Sequence, residues 1–294
     1  MKSISVVTQP FQFFVLLMMG PQLPCLLNSP ILLVNNFKGA STFFNSLVKT
    51  FPSLDISFVE SFDQLDKVIF SGKYSTIFID SDIGSKRFFQ ALFSFLYRSP
   101  ISYIVYEEGI GVYRTNIRGS LYTFLSKLIG FGYVFGSNRF THKIYVIDKF
   151  KYDSKLPFLS KKSVQIKVEL LDMFEKYKVE ISQLISDLDT CLKNFVSDRR
   201  VILLLPEKNA SLPSNAAFLE DSDCDKFVKY HPSLRANAKY RLNHFQEVDP
   251  LIPAEMLIFY LSNASSSLIV YHMGSSATYH RYGLNVEFVN LNQI

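Results

Sequence analysis

Short apolar runs alternate with longer stretches of helical spacing along most of the chain. In the first half, residues 4–7, 31–34, 56–59, 76–79, 102–106 and 143–147 are short and rich in β-branched or aromatic side chains, so each is predicted as a strand. Between them, Phe43, Phe44, Leu47, Val48 and Phe51 recur at threes and fours, as do Phe88, Leu92, Phe95 and Leu96. That spacing lays apolar side chains along one face of a helix. Strand and helix in strict alternation argue for a parallel sheet covered on both faces.

After about residue 155 the pattern changes. Leu170, Phe174, Tyr177, Ile181, Leu184, Leu188, Leu192 and Phe195 follow one another by threes and fours with Lys, Glu and Asp between them. This predicts one long amphipathic helix or two abutting ones, packed on the chain's own body. A dimerising coiled coil, and with it a homodimer, is the other use of such a pattern, but it usually needs sustained heptads with a purely apolar seam. The alternation then resumes, with strands predicted at 201–205, 226–230, 245–248, 268–271 and 286–289, and a helix at 253–261 with Pro253 in its first turn. The expected architecture is therefore α/β. A Rossmann-like N-terminal domain (1–155) and a Rossmann-like C-terminal domain (200–294) are joined by a helical linker (156–199). Ligands of open α/β sheets bind at the carboxyl ends of the strands, so the expected site is a cleft between the two domains.

Composition narrows the classes. The 294 residues are 48% hydrophobic and 19% charged, with 12 Gly and 12 Pro, which excludes a disordered, fibrous or low-complexity chain. At roughly 100–200 residues per domain, two domains are expected. The net charge of +5 reads as spread out, in pairs such as Lys161-Lys162 and Arg199-Arg200. Without a concentrated basic stripe, nucleic acid is not expected as a partner. Weak attraction to an anionic membrane, as in peripheral association with an inner membrane, fits the excess. Cys25, Cys191 and Cys224 are far apart with no CxxC spacing, which points to a reducing, cytoplasmic setting rather than disulfides or zinc. The apolar run 11–19 could pass for a signal-peptide core. No small-residue cleavage site follows it, and it is shorter than the roughly 20 residues of a membrane span, so a first strand and helix are expected there.

Three local patterns fall at predicted strand ends. In Glu107-Glu108-Gly109, an apolar strand runs into two carboxylates and a Gly turn. Side chains alternate along a strand, so one carboxylate should face the cleft, where it can act as a general base, and the other should point away. The plain alternative is a solvated acidic turn. In Lys229-Tyr230-His231-Pro232, the proline holds the His231 backbone extended and stops the strand. An imidazole there can donate to a phosphate oxygen, or it can be a satisfied structural histidine. In His272-Met273-Gly274-Ser275-Ser276, Gly-Ser-Ser opens a predicted helix at 277–282, where hydroxyls and free amides suit an anion or merely cap the helix.

In this order, the three motifs resemble those of the bacterial GT-B sialyltransferases, the group of lipooligosaccharide sialyltransferases and capsular polysialyltransferases. The opening Thr8-Gln9-Pro10-Phe11-Gln12 looks like the Thr-Pro-x-Gln start of several members. The resemblance spans Val6 to Ser276. It implies a GT-B-like fold and an inverting, metal-independent transfer of sialic acid from CMP-sialic acid to a hydroxyl of a capsule or lipooligosaccharide glycan. Glu108 would be the base and His231 the group that assists the leaving nucleotide. Lys229, Pro232, Gly274, Ser275 and Ser276 would hold CMP, with Gln12, Glu107 and Gly109 supporting on the acceptor side. Glu207, after the first strand of the second domain, is the alternative base. The C-terminal part is compact and Lys229-Tyr230 is unusual before His-Pro; the acidic residue at Glu207 leaves the base open. The alternatives are a transferase for another CMP-activated keto-sugar acid, and an inactive GT-B module that binds glycan.

Asp80-Ser81-Asp82 and Asp221-Ser222-Asp223 are Asp-x-Asp triplets of the kind that bind metal in other glycosyltransferases. Neither sits among further ligand candidates, and hard cations want several oxygens, so no metal is expected. His272 and His280 flank the Ser pair. Both read as structural, with His272 the one placed to line a donor pocket.

Overall fold

The computed structural model describes residues 2–97, 100–107, 109–206, 223–230, 242 and 244–293. The chain divides into two compact units, Met1–Phe44 with Phe51–Glu169, and Asn45–Thr50 with Leu170–Ile294.

The first unit begins β1 (Ser3–Val7), α1 (Pro10–Met19), α2 (Pro24–Leu27), β2 (Ile31–Val34), α3 (Ala40–Thr50), β3 (Ile56–Val59) and α4 (Phe62–Phe70). It continues with β4 (Thr76–Ile79), α5 (Ser85–Tyr97), β5 (Ser102–Tyr106), α6 (Ser120–Ile129), β6 (Thr141–Val146), α7 (Lys149–Lys155) and β7 (Ser163–Gln165). The strands form a seven-stranded sheet in the order β3-β2-β1-β4-β5-β6-β7, paired in parallel throughout. Burial on both faces explains why β2 and β4 read as nearly continuous apolar runs rather than alternating ones. The run 11–19 lies within α1, where every residue from Gln12 to Met19 is buried. A helix apolar on all sides belongs in a core.

Two expectations about this unit change. β7 begins inside the segment expected to be linker, so 163–165 belong to the first sheet. Three residues are too few for a periodic signal, which is why pattern alone passes over them. On α5, the expected core stripe turns inward at Phe88, whereas Phe95 and Leu96 are exposed. The inward positions are Gln90, Ala91 and Ser94. Gln90 is drawn in by polar partners: it donates to Asp66 at 2.6 Å and accepts from Arg87 at 2.7 Å.

The second unit holds α8 (Leu170–Lys176), α9 (Lys178–Leu188), β8 (Ser197–Leu205), β9 (Cys224–Val228), β10 (Gln246–Glu247), α10 (Ala254–Ala264), β11 (Ser265–His272) and β12 (Val286–Asn290). The long apolar pattern after residue 155 is thus, up to Leu188, two abutting helices broken at Tyr177; its last members differ, with Leu192 in a 3-10 turn (Thr190–Leu192) and Phe195 just before β8. The five-stranded parallel sheet has the order β10-β9-β8-β11-β12. α10 starts directly after Pro253, whose fixed φ suits a helix entry, and buries Met256, Leu257, Ile258, Phe259 and Leu261. The predicted helix at 277–282 is instead a single 3-10 turn, Ser276–Tyr279. No helix among the described residues is long and apolar enough to cross a membrane.

Candidate functional site

In both sheets the chain winds outward from its first strand and then crosses back, so the strand order reverses beside that strand. The reversal lies between β1 and β4 in the first unit and between β8 and β11 in the second. Helices leave to opposite faces at such a point, and the carboxyl ends of the strands open a crevice there.

At the first reversal, Thr8, Gln12 and Asp80 form a closed network. The Gln12 amide oxygen accepts from the Thr8 N–H at 2.6 Å and the Gln9 N–H at 3.1 Å, which ties off the start of α1. Its amide nitrogen donates to Asp80 Oδ2 at 3.0 Å, and the Thr8 hydroxyl donates to the same oxygen at 2.6 Å. Gln12 is fully buried, so this cross-link joins the end of β1 to the end of β4 and is the reason a glutamine sits in an apolar helix. Its role is positional.

Asp82, two residues on, is also fully buried. Its carboxylate accepts from the Gly136 N–H (2.9 Å), the Asn138 N–H (3.0 Å) and the Thr141 hydroxyl (2.7 Å). Burial nonetheless pushes its pKa up. Its oxygens are engaged on the 136–141 loop, so Asp82 staples that loop to the end of β4. Of the second triplet, Asp221 and Ser222 lie outside the described residues.

At the end of β5, Glu107 is neither solvated nor turned idly away. It is buried and accepts from the Tyr113 hydroxyl at 2.7 Å and the Ile147 N–H at 2.6 Å. The same Tyr113 oxygen accepts from the Asp148 N–H at 3.0 Å. Burial raises the Glu107 carboxyl to about 7, against the pull of these donors. Glu107 therefore pins the turn Ile110–Tyr113 to the end of β6. Gly109 opens that turn with φ +125°, a region closed to most side chains. Glu108 itself lies outside the described residues.

In the second unit, Lys229 follows β9 directly, and its N–H continues the ladder to the Leu204 carbonyl at 3.0 Å. The side chain is buried, and its ammonium donates to the Tyr230 carbonyl at 3.4 Å. Burial lowers it to about 8, while Glu255 and Asp249 act to hold the charge on. At the end of β11, His272 Nδ1 accepts from the Gly274 N–H at 3.2 Å. A neutral imidazole that accepts at Nδ1 carries its proton at Nε2, and burial lowers its pKa and so favours the neutral form. Gly274, at φ +103°, makes that backbone bend possible. Ser275 caps the 3-10 turn by accepting from the Ala277 N–H at 3.3 Å, and the Tyr282 hydroxyl braces the turn on the Ala277 carbonyl at 3.0 Å.

The second-unit cluster differs from the expected one. The described groups at these strand ends are Lys229, His272 and Ser275. His231, Pro232 and Glu207 lie outside the described residues, as does the Ser276 side chain. A four-residue 3-10 turn lacks the aligned peptide dipoles of an α-helix, so the phosphate cradle expected at a helix N-terminus is not built here. His272, which the sequence places beside the Ser pair as the histidine able to line a donor pocket, stands at the end of β11 among these groups.

No protein-family model matches this sequence, and no curated protein matches it. Its fold does match solved structures. The UDP-N-acetylglucosamine 2-epimerase of Rickettsia bellii superposes with a TM-score of 0.55 at 12% identity, covering 99% of this chain and 78% of that one. The UDP-GlcNAc 2-epimerase of Methanocaldococcus jannaschii gives 0.54 at 14% identity, covering 100% and 90%. That of Neisseria meningitidis, bound to UDP-GlcNAc, gives 0.52 at 13% identity, covering 93% and 78%. These matches correct the expectation of a CMP-sialic-acid-dependent sialyltransferase, because the enzymes that share the fold are named for a UDP sugar. The motifs behind that expectation are only two or three residues long and recur at the strand ends of many parallel sheets. What the sheets and the superpositions do establish is the fold: this chain has the two-unit, Rossmann-type architecture of the GT-B class.

Proposed function

We propose that this protein is a UDP-sugar enzyme that seats the nucleotide diphosphate on the second unit, at the carboxyl ends of β9 and β11. The observation that carries the reading is the placement of a buried ammonium (Lys229), a neutral imidazole with its proton at Nε2 (His272) and a hydroxyl (Ser275) at one end of one sheet. The likeness of the fold to UDP-GlcNAc 2-epimerases supports the choice of a uridine diphosphate sugar. A diphosphate that leaves a sugar carbon gains charge on its oxygen. Lys229 supplies a compensating cation and the imidazole N–H a hydrogen bond, both in a partly dry setting where they count for more than in water. Removing a proton from the sugar needs a general base. Glu108 is the proposed base, following the pinned Glu107, with Glu207 the alternative, and His231 is a further phosphate partner two residues after Lys229. No divalent metal is required in this reading, since the Asp82 carboxylate is spent on backbone donors.

Ligand that binds only the native state stabilises it by about 2.7 kcal/mol at a hundredfold excess over Kd. UDP and UDP-N-acetylglucosamine should therefore raise the melting temperature of the full chain, and CMP should not. Calorimetric titration then reads the affinity. No shift with either uridine compound, or an equal shift with CMP, overturns the assignment.

A further inference from the structure

α5 and α6 carry ten of the seventeen exposed large apolar side chains among the described residues. On α6, Leu121, Phe124, Leu125, Leu128 and Ile129 fall at the spacing of a core-facing stripe, yet the side chain this helix buries is Ser126. Leu121 is 71% exposed and Leu128 70%. On α5 a second stripe, Phe89, Phe93 and Tyr97, stacks ring on ring at 6.2 and 6.3 Å on the side away from Ala91 and Ser94. The two helices meet through Phe131, just after α6, whose ring lies 4.9 Å from Phe88 and 5.5 Å from Phe89. Single exposed leucines are ordinary, but two adjoining helices with outward apolar stripes form a patch that water does not favour.

Charge identifies what covers it. Residues 83–147 contain eight Lys or Arg and two Asp or Glu, a net +6, whereas the rest of the chain nets −1. The positive excess is therefore concentrated around these two helices and not spread along the chain as the scattered basic pairs suggest. Arg114, Arg118 and Lys127 are exposed on or beside them, and Lys86 is exposed but paired with Asp66 at 2.5 Å. Lys127 and Arg118 lie over the rings of Tyr133 and Tyr122, so their charges stay next to the apolar stripe. An apolar face rimmed by cations, with Asp66 pairing Lys86 and Arg87 at its edge, is what an anionic lipid surface selects: the stripe enters the acyl boundary and the unpaired cations meet the headgroups.

We infer that the α5–α6 face docks the protein on an anionic membrane surface, lying on the bilayer without spanning it. This stands independently of the nucleotide assignment. The test is cosedimentation of the full chain with phosphatidylcholine vesicles containing phosphatidylglycerol, against pure phosphatidylcholine. Binding should be selective for the anionic vesicles and fall with added salt. The double variant Phe124→Ser/Leu128→Ser changes only exposed side chains, so its thermal melt should match the parent while its partitioning drops about tenfold or more. Arg114→Gln/Arg118→Gln/Lys127→Gln should cut binding to anionic vesicles on the order of a hundredfold, at about fivefold per charge. Failure of the parent to bind anionic vesicles, or unchanged binding in both variants, overturns the inference. So does a dimer in light scattering that Phe124→Ser/Leu128→Ser dissociates without any vesicle binding, which would make this face a contact between copies of the chain.

Discussion

The two sheets share a strand order and an opening at its reversal, but their carboxyl edges are furnished differently. In the first unit the buried polar groups face one another: Thr8, Gln12 and Asp80 close one network, and Glu107, Tyr113 and Ile147 another. In the second, a buried lysine and a histidine are placed by backbone contacts, one to the Tyr230 carbonyl and one to the Gly274 N–H. A closed network fixes geometry, because every donor already has its acceptor. A cation and an imidazole N–H held by the backbone are suited to a ligand with negative oxygens. The contrast supports positioning at the first edge and the proposed phosphate site at the second.

The largest expected effect tests where chemistry and binding part. Glu108→Gln should lower turnover of the UDP sugar by about 10²–10⁴, the usual worth of a general base, while UDP affinity measured by calorimetry stays within a few-fold. If Glu207→Gln abolishes turnover and Glu108→Gln retains more than about a tenth of it, the base belongs to the second unit.

Asp82→Ala comes next, and it acts on stability. It strands the Gly136 and Asn138 N–H groups and the Thr141 hydroxyl, at about 1–3 kcal/mol each if they stay dry, so denaturant unfolding should show a loss of about 3–5 kcal/mol. Excess chelator should leave the parent's turnover unchanged. Loss of turnover in chelator, restored by manganese or magnesium, would return Asp82 to a metal-binding role.

A pH series sharpens the account of Glu107. Its carboxyl rises to about 7 in the folded chain from an ordinary 4.5, so between those values the folded state keeps a proton that the unfolded chain has released. Its contribution to stability therefore falls as pH rises from about 4.5 to about 7, by about 3 kcal/mol, and is level above. Glu107→Gln should flatten that part of the stability curve relative to the parent. An unchanged slope would mean that the carboxyl is not desolvated.

The smallest effect tests the contrast itself. His272→Phe removes one phosphate hydrogen bond and should weaken UDP by about tenfold. Thr8→Val, at the first edge, should leave UDP affinity unaltered and lower stability instead. The reverse outcome would exchange the roles of the two units.

Much of the fold can be read along the chain. Strands of parallel sheets are buried on both faces, so β2 and β4 appear as apolar runs at their observed bounds, while β5 and the edge strand β3 are found at theirs by short β-branched or aromatic runs. The three residues of β7 carry no period, and Gly-Ser-Ser caps the 3-10 turn at Ser276–Tyr279 as it caps a helix, so spacing alone does not tell the two apart. The site was less legible. Gln12, Glu107, Lys229, Gly274 and Ser275 stand at strand ends or beside them, but their partners are distant in sequence. The Asp80 that Gln12 binds is 68 residues away and the Ile147 N–H that Glu107 accepts is 40 away.

By itself, then, the sequence determined what local spacing and side-chain volume can determine: which segments are strands, which are helices, and that the sheets are parallel. Only the tertiary structure decided which carboxylates are spent on holding loops, which imidazole nitrogen carries its proton, and that the apolar stripe of α6 faces outward. A helical stripe has the same period whether core or lipid covers it, and a carboxylate has the same letter whether it pins a turn or takes a proton. The difference is made by neighbours that the chain brings together only when it folds.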